Sequence, residues 1–332
     1  MCAIYLHGMG HFHPDNVITN RFLEEMDIGT TDAWILERVG IRTRRTVLSL
    51  EYIKETKNRN PKAAFEASSY TNARMAAEAA RMAIDRAGIK VQDIGLLIAG
   101  SSSHENIAPA EASMIAAELG IEVPCFDMNS ACTTFGMQIN FLNGMKPDAL
   151  PPFVLLVVTE TLTRRVDYSD RSAAVLFGDG SSAAVISSTI QARASFSSCK
   201  YDAKPSDWDK VGIAWTGYFH QDGNAVQGFA IRKTTESVRI LQKQHSMNDG
   251  RFIFIGHQAN LGMLQTVCER CAIPEDRHWH NVVYFGNTGC SGAPSALSQH
   301  WHELRNRDNI AFSIVGAGLS WAHMILKIKE SP

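Results

Sequence analysis

Gly95-Leu96-Leu97-Ile98-Ala99-Gly100 returns about 156 residues later as Phe252-Ile253-Phe254-Ile255-Gly256. Two further landmarks keep that offset. Val123 to Met128, followed by small residues and a helical stretch, matches Val282 to Phe285 followed by Asn287-Thr288-Gly289 and Ala293-Pro294-Ser295-Ala296-Leu297. Phe153-Val154-Leu155-Leu156-Val157-Val158 matches Ile310-Ala311-Phe312-Ser313-Ile314-Val315. Short apolar runs alternating with Ala-rich stretches read as α/β. Three landmarks in register predict two similar halves, roughly 1–188 and 189–332, with functional loops at matching strand ends.

Working outward, Met75, Ala76, Ala79, Met82 and Ala83 form one helical stripe over 72–86, which Gly88 ends. A strand is expected at Ile94 to Ala99. The next helix has Pro109 near its first turn and Gly120 past its end. Further strands are expected at Val123 to Met128, Phe153 to Thr159 and Ala173 to Phe177. Another, Ala183 to Ser187, follows a Gly178-Asp179-Gly180 turn.

The chain has 332 residues, 45% hydrophobic and 20% charged, a globular composition with no low-complexity linker. Lys plus Arg at 32 against Asp plus Glu at 34 gives a formal charge of -2, which carries no footprint for nucleic acid or an anionic membrane. No apolar run approaches the roughly 18 residues of a membrane span. Met1-Cys2-Ala3-Ile4 lacks the basic start and long apolar segment of a signal peptide, so the expected location is cytoplasmic. Seven thinly spread cysteines argue for free thiols in a reducing compartment and against a disulfide framework.

Cys132 lies in Asn129-Ser130-Ala131-Cys132-Thr133-Thr134-Phe135-Gly136, between a strand and a helix with Phe135, Ile139 and Leu142 on its inner stripe. A sulfur at a helix start meets unpaired N–H groups and the positive dipole end, which favour thiolate and lower its pKa. Position alone leaves this level with a small buried hydrophobe. His257 follows Phe252 to Ile255 at one strand end, and Asn287 ends the matching region in the echo. Both can donate hydrogen bonds to an oxygen that gains negative charge. Each alone reads more simply as structural; together with Cys132, at equivalent places of a repeated scaffold, they read as a site.

Other signals carry little. Cys268-Glu269-Arg270-Cys271 followed by His278-Trp279-His280 fits no common zinc spacing, so no metal is expected. His300-Trp301-His302 and His11-Phe12-His13 lack companions. Gly178-Asp179-Gly180 is a hairpin turn before it is a phosphate loop, and Lys54 to Lys62 reads as a solvated basic loop.

Six segments in order carry a resemblance over nearly the whole chain. They are Asp32-Ala33-Trp34-Ile35 with Gly40-Ile41-Arg42, Ala131-Cys132, and Ser169-Asp170-Arg171 leading to Leu176-Phe177-Gly178-Asp179-Gly180. His257-Gln258-Ala259-Asn260, Gly286-Asn287-Thr288-Gly289 and Gly316-Ala317-Gly318-Leu319-Ser320-Trp321 complete them. With these the chain resembles β-ketoacyl-acyl-carrier-protein synthase III, a condensing-enzyme family of the thiolase superfamily.

The resemblance implies a thiolase-like five-layered αβαβα fold of two duplicated halves, the first with the nucleophilic Cys and the second with His and Asn. It also implies a homodimer and a place in fatty acid biosynthesis. Acyl-CoA enters as substrate and no cofactor is implied. Cys132 would be acylated; His257 and Asn287 would stabilise the enolate formed as a malonyl thioester, free or on acyl carrier protein, loses carbon dioxide. The Cys132 and Ala317 amides would form the oxyanion hole. Trp34 and Arg171 match positions that hold the CoA adenine, and Arg38 one near its phosphates.

Three departures stand out. Gly262 and Glu269 fall where basic residues that dock carrier protein are usual. Ala108 replaces a bulky aromatic that closes the acyl pocket of the partner subunit, which predicts a longer acyl chain than acetyl. Thr46 to Thr71 is longer than its counterpart and is expected to form a lid or reshape the pocket mouth. The runner-up is a secondary-metabolism ketosynthase or acyltransferase with a non-malonyl acceptor. A cysteine hydrolase shares the order Cys, His, Asn but not the papain-type Cys signature or the repeated halves. A non-enzymatic partner subunit is disfavoured because Cys132, His257 and Asn287 are all present.

Overall fold

The helix expected at 72–86 is bounded as its sequence suggests. The Thr71 hydroxyl accepts the Arg74 N–H at 3.1 Å, and Gly88 takes the left-handed cap conformation at φ 66°. Of its stripe, Met75, Ala76, Ala79 and Ala83 are buried and Met82 is half-buried. The computed structural model describes residues 3–245 and 250–329, so Cys2 lies outside the described residues. The other six cysteines are free thiols.

The chain opens with β1 (Ile4–Phe12), then a two-stranded excursion of β2 (Asn16–Thr19) and β3 (Thr43–Thr46). There follow β4 (Ile94–Gly100), β5 (Cys125–Asp127), β6 (Phe153–Glu160), β7 (Gly180–Ser187) and β8 (Ala194–Ala203). A small hairpin of β9 (Val211–Ile213) and β10 (Phe219–Gln221) precedes β11 (Phe252–Gly256), β12 (Asn309–Gly316) and β13 (Ser320–Ile328). Among the described residues nine strands form one sheet in the order β11-β12-β13-β8-β1-β7-β6-β4-β5. The β1 and β8 strands meet antiparallel at the middle, with Ile4 opposite Phe196. On one side β4 and β6 run parallel; on the other, so do β11 and β12.

Helices α1 (Asn20–Glu25), α2 (Asp32–Val39), α3 (Leu50–Thr56) and α4 (Pro61–Glu66) fill the excursion before α5 (Asn72–Ala87). Next come α6 (Glu111–Leu119), α7 (Thr134–Asn143), the short α8 (Arg171–Ala174) and α9 (Gly223–Gln244). The last are α10 (Leu261–Arg270), α11 (Val282–Phe285) and α12 (Gly292–Gln299).

Strand alternation sorts the side chains into five layers. Val154, Leu156 and Val158 of β6 share a central cluster with Ile310, Phe312 and Ile314 of β12, and between them lie Phe135 and Ile139 of α7 and Ala293 and Leu297 of α12. The opposite faces point outward: Leu155 and Val157 meet α5 and α6, while Phe252, Phe254 and Ala311 meet α9 and α10. This is the αβαβα order that the resemblance implies. Burying each such Ile or Phe contributes about 1.5–3 kcal/mol, which ties the two arms of the sheet to the central helices.

Several local expectations fail for identifiable reasons. Val282 to Phe285 is α11 and not a strand, because Gln258 Oε1 accepts the Asn281 and Val282 N–H groups at 2.9 and 3.2 Å and so starts a helical turn. Ala173 to Phe177 is likewise not a strand. The Asp170 side chain caps α8 by accepting the Ser172 N–H at 2.8 Å. Gly178-Asp179-Gly180 makes no hairpin; Asp179 is buried and accepts from Val47 N at 2.8 Å and from Thr163 N and Oγ1 at 2.9 and 2.5 Å. Burial pushes its carboxyl up to about 6.

The basic loop Lys54 to Lys62 is instead the end of α3 and the start of α4. Between them Lys57 Nζ donates to Met26 O at 2.8 Å, and buried Asn58 donates to the carbonyls of Arg164 and Val166 at 3.0 and 2.9 Å. Pro109 precedes the helix rather than opening it. The first free N–H groups of α6, on Glu111 and Ala112, are taken by the Asp127 carboxylate at 2.8 and 2.9 Å.

Candidate active site

The segment between β5 and α7 is bent sharply at Ala131, whose φ of 47° lies in the left-handed region that an alanine adopts only under strain of about 1–3 kcal/mol. Neighbouring hydrogen bonds hold the bend. Asn129 Oδ1 accepts the Ala131 N–H at 3.0 Å, and the Thr134 hydroxyl donates to Ala131 O at 2.6 Å. The next residue, Cys132, is thereby presented half-buried at the wall of a cavity of about 350 Å³. Thr133 Oγ1 lies 2.8 Å from Ser320 Oγ, which donates to Ala317 O at 2.9 Å, so the nucleophile segment and the turn between β12 and β13 are one unit.

The backbone N–H groups of Cys132 itself and of Ala317 lie near the Cys132 sulfur and favour its thiolate. Their effect is outweighed. Burial, followed by the nearby Glu160 carboxylate, pushes the thiol up to about 12. The resting thiolate expected from a helix start is therefore corrected: α7 begins only at Thr134, after its N-cap Thr133, and desolvation of the sulfur exceeds the helix-end field.

His257 follows β11, anchored by its N–H to Ser313 O at 3.0 Å, and its ring lines the same cavity. Burial brings the imidazole down to about 4, so it is neutral at ordinary pH. Its Nδ1 is buried with no partner among the described residues. Asn287 also lines the cavity, reached from α11 through Gly286 at φ 68° and not from a strand end. Its Oδ1 accepts the Gly289 N–H at 3.0 Å, which leaves the amide NH₂ as the donor for the cavity.

Trp34 and Arg38 of α2 line the mouth. Arg171 does not line the cavity; its guanidinium stacks on the Trp34 ring at 4.9 Å and donates to Gly29 O. Ala108 is exposed at the tip of the 101–110 loop and does not line this chain's own cavity. No residue of 46–71 lines the cavity, so this segment is not itself a lid; it touches the β9–β10 hairpin, where the Tyr218 hydroxyl donates to Asn58 O at 2.6 Å.

Gly262 and Glu269 are exposed on α10. Cys268 and Cys271 are buried on and after that helix, and among the described residues no group of three or more His, Cys, Asp and Glu is placed to hold a metal. No helix among the described residues is long and apolar enough to cross a membrane.

One wall went unread in the sequence. Val211 and Phe219 of the β9–β10 hairpin, with Phe229 and Ala230 of α9, Met263 and Leu319, make the apolar side of the cavity. The alternating Val211-Gly212-Ile213 and Phe219-His220-Gln221 segments are too short to show a strand period. Glu160, the buried end of β6, lies one residue beyond the strand expected at Phe153 to Thr159.

The comparisons agree over the length of the chain. Residues 126–205 match the family model described as 3-oxoacyl-[acyl-carrier-protein] synthase III, and residues 242–328 match the one described as its C terminal part. The chain is 30% identical over 334 residues to a β-ketoacyl-[acyl-carrier-protein] synthase III of Cereibacter sphaeroides, covering 96% of this chain and 97% of that protein. It is 28% identical over 337 residues to the protein of that name from Coxiella burnetii, covering 97% and 98%. The crystal structure of 3-oxoacyl-[acyl-carrier-protein] synthase III from Aquifex aeolicus superimposes with a TM-score of 0.84 at 26% identity, covering 98% of this chain and 99% of that one. A Cys, a neutral His and an Asn on one cavity, within a five-layered fold that matches over the whole length, place the chain in the 3-oxoacyl-[acyl-carrier-protein] synthase III family.

Proposed function

We propose that this acyltransferase loads an acyl group from acyl-CoA onto Cys132 and condenses it with a malonyl thioester, releasing carbon dioxide and a 3-oxoacyl product. The observation that carries the reading is the meeting of Cys132, His257, Asn287 and the Ala317 backbone on one cavity whose mouth is Trp34 and Arg38. In the first step the Cys132 sulfur bonds to the acyl carbon and the C–S bond to CoA breaks. The thiol proton ends on the CoA sulfur. The acyl oxygen, negative in the tetrahedral intermediate, takes the two N–H groups that face the Cys132 sulfur.

In the second step the malonyl C–C bond breaks and its electron pair passes to the thioester oxygen. Neutral His257 and the Asn287 amide both offer N–H donors to that oxygen, and neither carries a charge that would hold the carboxylate back. The enolate carbon then attacks the acyl carbon on Cys132, the C–S bond to Cys132 breaks, and the departing sulfur takes a proton from solvent to restore the thiol.

CoA is recognised in this reading by Trp34, by Arg38, and by Arg171 through its stack on Trp34; no cofactor is required. A homodimer belongs to the same reading. It is supported by β5, which ends the sheet with Phe126 exposed, and by exposed Ile107, Phe141 and Met145. The strand order supports halves at 1–188 and 189–332, and a cytoplasmic location belongs to the same proposal, with the free thiols in its support.

The test is intact-mass detection of acyl-enzyme with CoA esters of graded length, then product identification with malonyl-CoA and malonyl carrier protein. Cys132→Ala should form no adduct, whereas Cys268→Ala and Cys271→Ala should. Equal labelling of Cys132→Ala, or an adduct released by water and not by malonyl thioester, would refute the proposal. Exposed Gly262 and Glu269, which give α10 no cation at those positions, favour the CoA-bound acceptor in that comparison.

A further inference from the structure

Glu160 ends β6 with a fully buried side chain. Its carboxylate is held by neutral donors: the Ser102 N–H at 3.1 Å from each oxygen, Ser103 Oγ at 2.7 Å, Ser101 Oγ at 3.4 Å and the Cys290 thiol at 3.1 Å. Burying a carboxylate without a cation beside it is costly, and the donors around it must be arranged to offset that cost. What it joins is therefore informative. Ser102 and Ser103 begin the loop that leads to Ala108. Cys290 belongs to the Gly289–Ser291 turn, which Thr288 alone separates from Asn287.

The second contact is close. Gly289 has φ 56°, and a Cβ there would fall 3.0 Å from both Glu160 Cγ and Oε1, so the backbone of the turn rests on the carboxylate. The N–H of that same Gly289 holds Asn287 Oδ1. Glu160 and the Asn287 amide are thus connected through one short turn.

We propose that Glu160 and Cys290 are a positioning pair for Asn287: the carboxylate accepts the Cys290 thiol hydrogen, fixes the Gly289–Ser291 turn, and so aims the Asn287 NH₂ into the cavity. The thiol remains a donor at working pH, since burial and the adjacent Glu160 hold it well above its ordinary range. Glu160 also raises the Cys132 thiol, second to burial, so its charge has a separate readout at the nucleophile. The inference rests on the condensation reading above.

Its test uses full-length Cys290→Ala, Cys290→Ser and Glu160→Gln. For each, acylation by acyl-CoA is followed by intact mass, and single-turnover condensation of the preformed acyl-enzyme with malonyl-CoA is timed. Cys290→Ala should lose about tenfold or more in the condensation rate constant, with little change in malonyl-CoA KM or in acylation, the pattern of an interaction felt mainly in the transition state. Cys290→Ser keeps an O–H donor and should recover most of the loss. Glu160→Gln should lose condensation too, and should move the pH profile of Cys132 alkylation by iodoacetamide to lower pH.

Condensation by Cys290→Ala at the wild-type rate overturns the pair, as does equal impairment of the Ala and Ser variants. Where Glu160→Gln is too unstable to assay, the two Cys290 variants decide alone. Failure of the wild type to form acyl-enzyme would instead overturn the underlying reading.

Discussion

Replacing Gly316 with alanine should cripple acylation of Cys132 while leaving CoA binding intact. A Cβ on Gly316 falls 3.0 Å from Cys132 Cβ, 3.1 Å from Cys132 N and 3.2 Å from Thr133 N. Heavy atoms in ordinary contact stand about 3.5–4.0 Å apart, so the two segments must separate by a few tenths of an ångström. The Gly316 φ lies outside the left-handed region, so the penalty is steric and not conformational.

The displacement falls on two backbone N–H groups, those of Cys132 and Ala317, which together face the sulfur. Losing one donor of an oxyanion site typically costs on the order of 100- to 1,000-fold, or about 2.7–4 kcal/mol. Trp34 and Arg38 stand on a different element, α2, and should keep their hold on CoA. The assay is quenched-flow acylation by an acyl-CoA read by intact mass, with CoA affinity measured by calorimetry. Acylation at a rate close to wild type would refute the assignment of these two amides. An equal loss of CoA affinity would show that the whole wall had moved, and would refute the local argument.

Alanine at His257 or Asn287 should lower condensation on the order of 100-fold while acylation suffers less, which single-turnover measurements of the two half-reactions would separate. Trp34→Ala and Arg171→Ala should raise the acyl-CoA KM more than they lower kcat. Because the two side chains stack at 4.9 Å, the double variant should lose less than the sum of the singles; full additivity would show that the stack does not act as one unit. Ala108→Phe should shift preference toward shorter primers, and kcat/KM for acetyl-, hexanoyl- and octanoyl-CoA would show it; an unchanged profile would remove Ala108 from the acyl pocket. Stability should fall from pH 7 to 5. His257 and His323 at about 4, and His13 and His278 at about 3, lie below the ordinary 6.5, so the unfolded chain binds protons first. Each contributes on the order of 1 kcal/mol to that loss. Asp179 at about 6 and Glu111 at about 7 act in the opposite sense but are fewer. A thermal midpoint that rises toward pH 5 would show the histidines to be solvated.

Local chemistry was legible in the residues themselves. An apolar run such as Ile310 to Val315 must hide both faces, and so it reads as an interior strand wherever it lies. Thr71 and Gly88 act on N–H and C=O groups within four residues, so the bounds of α5 need no distant partner. The order of Cys132, His257 and Asn287 with their neighbouring motifs was enough to name a family and a common site.

What tertiary structure alone decided depends on partners remote in sequence. Val282 to Phe285 looks like a strand by composition, but a side chain 24 residues away, Gln258, takes its first N–H and makes it helical. Gly178-Asp179-Gly180 reads as a hairpin until Val47 and Thr163 are seen to occupy the Asp179 carboxylate. The Cys132 thiol was expected to ionise because a helix start is a local signal. Its proton affinity instead follows from desolvation, which sums over every element packed around the sulfur, and from a carboxylate at the end of another strand. The role of Glu160 is of the same kind, since no feature of Val158-Thr159-Glu160 announces that Cys290 and Ser102 will converge on it. Periodicity and capping report on a few neighbouring residues, whereas burial and hydrogen-bond partners across the fold are settled only when the layers close.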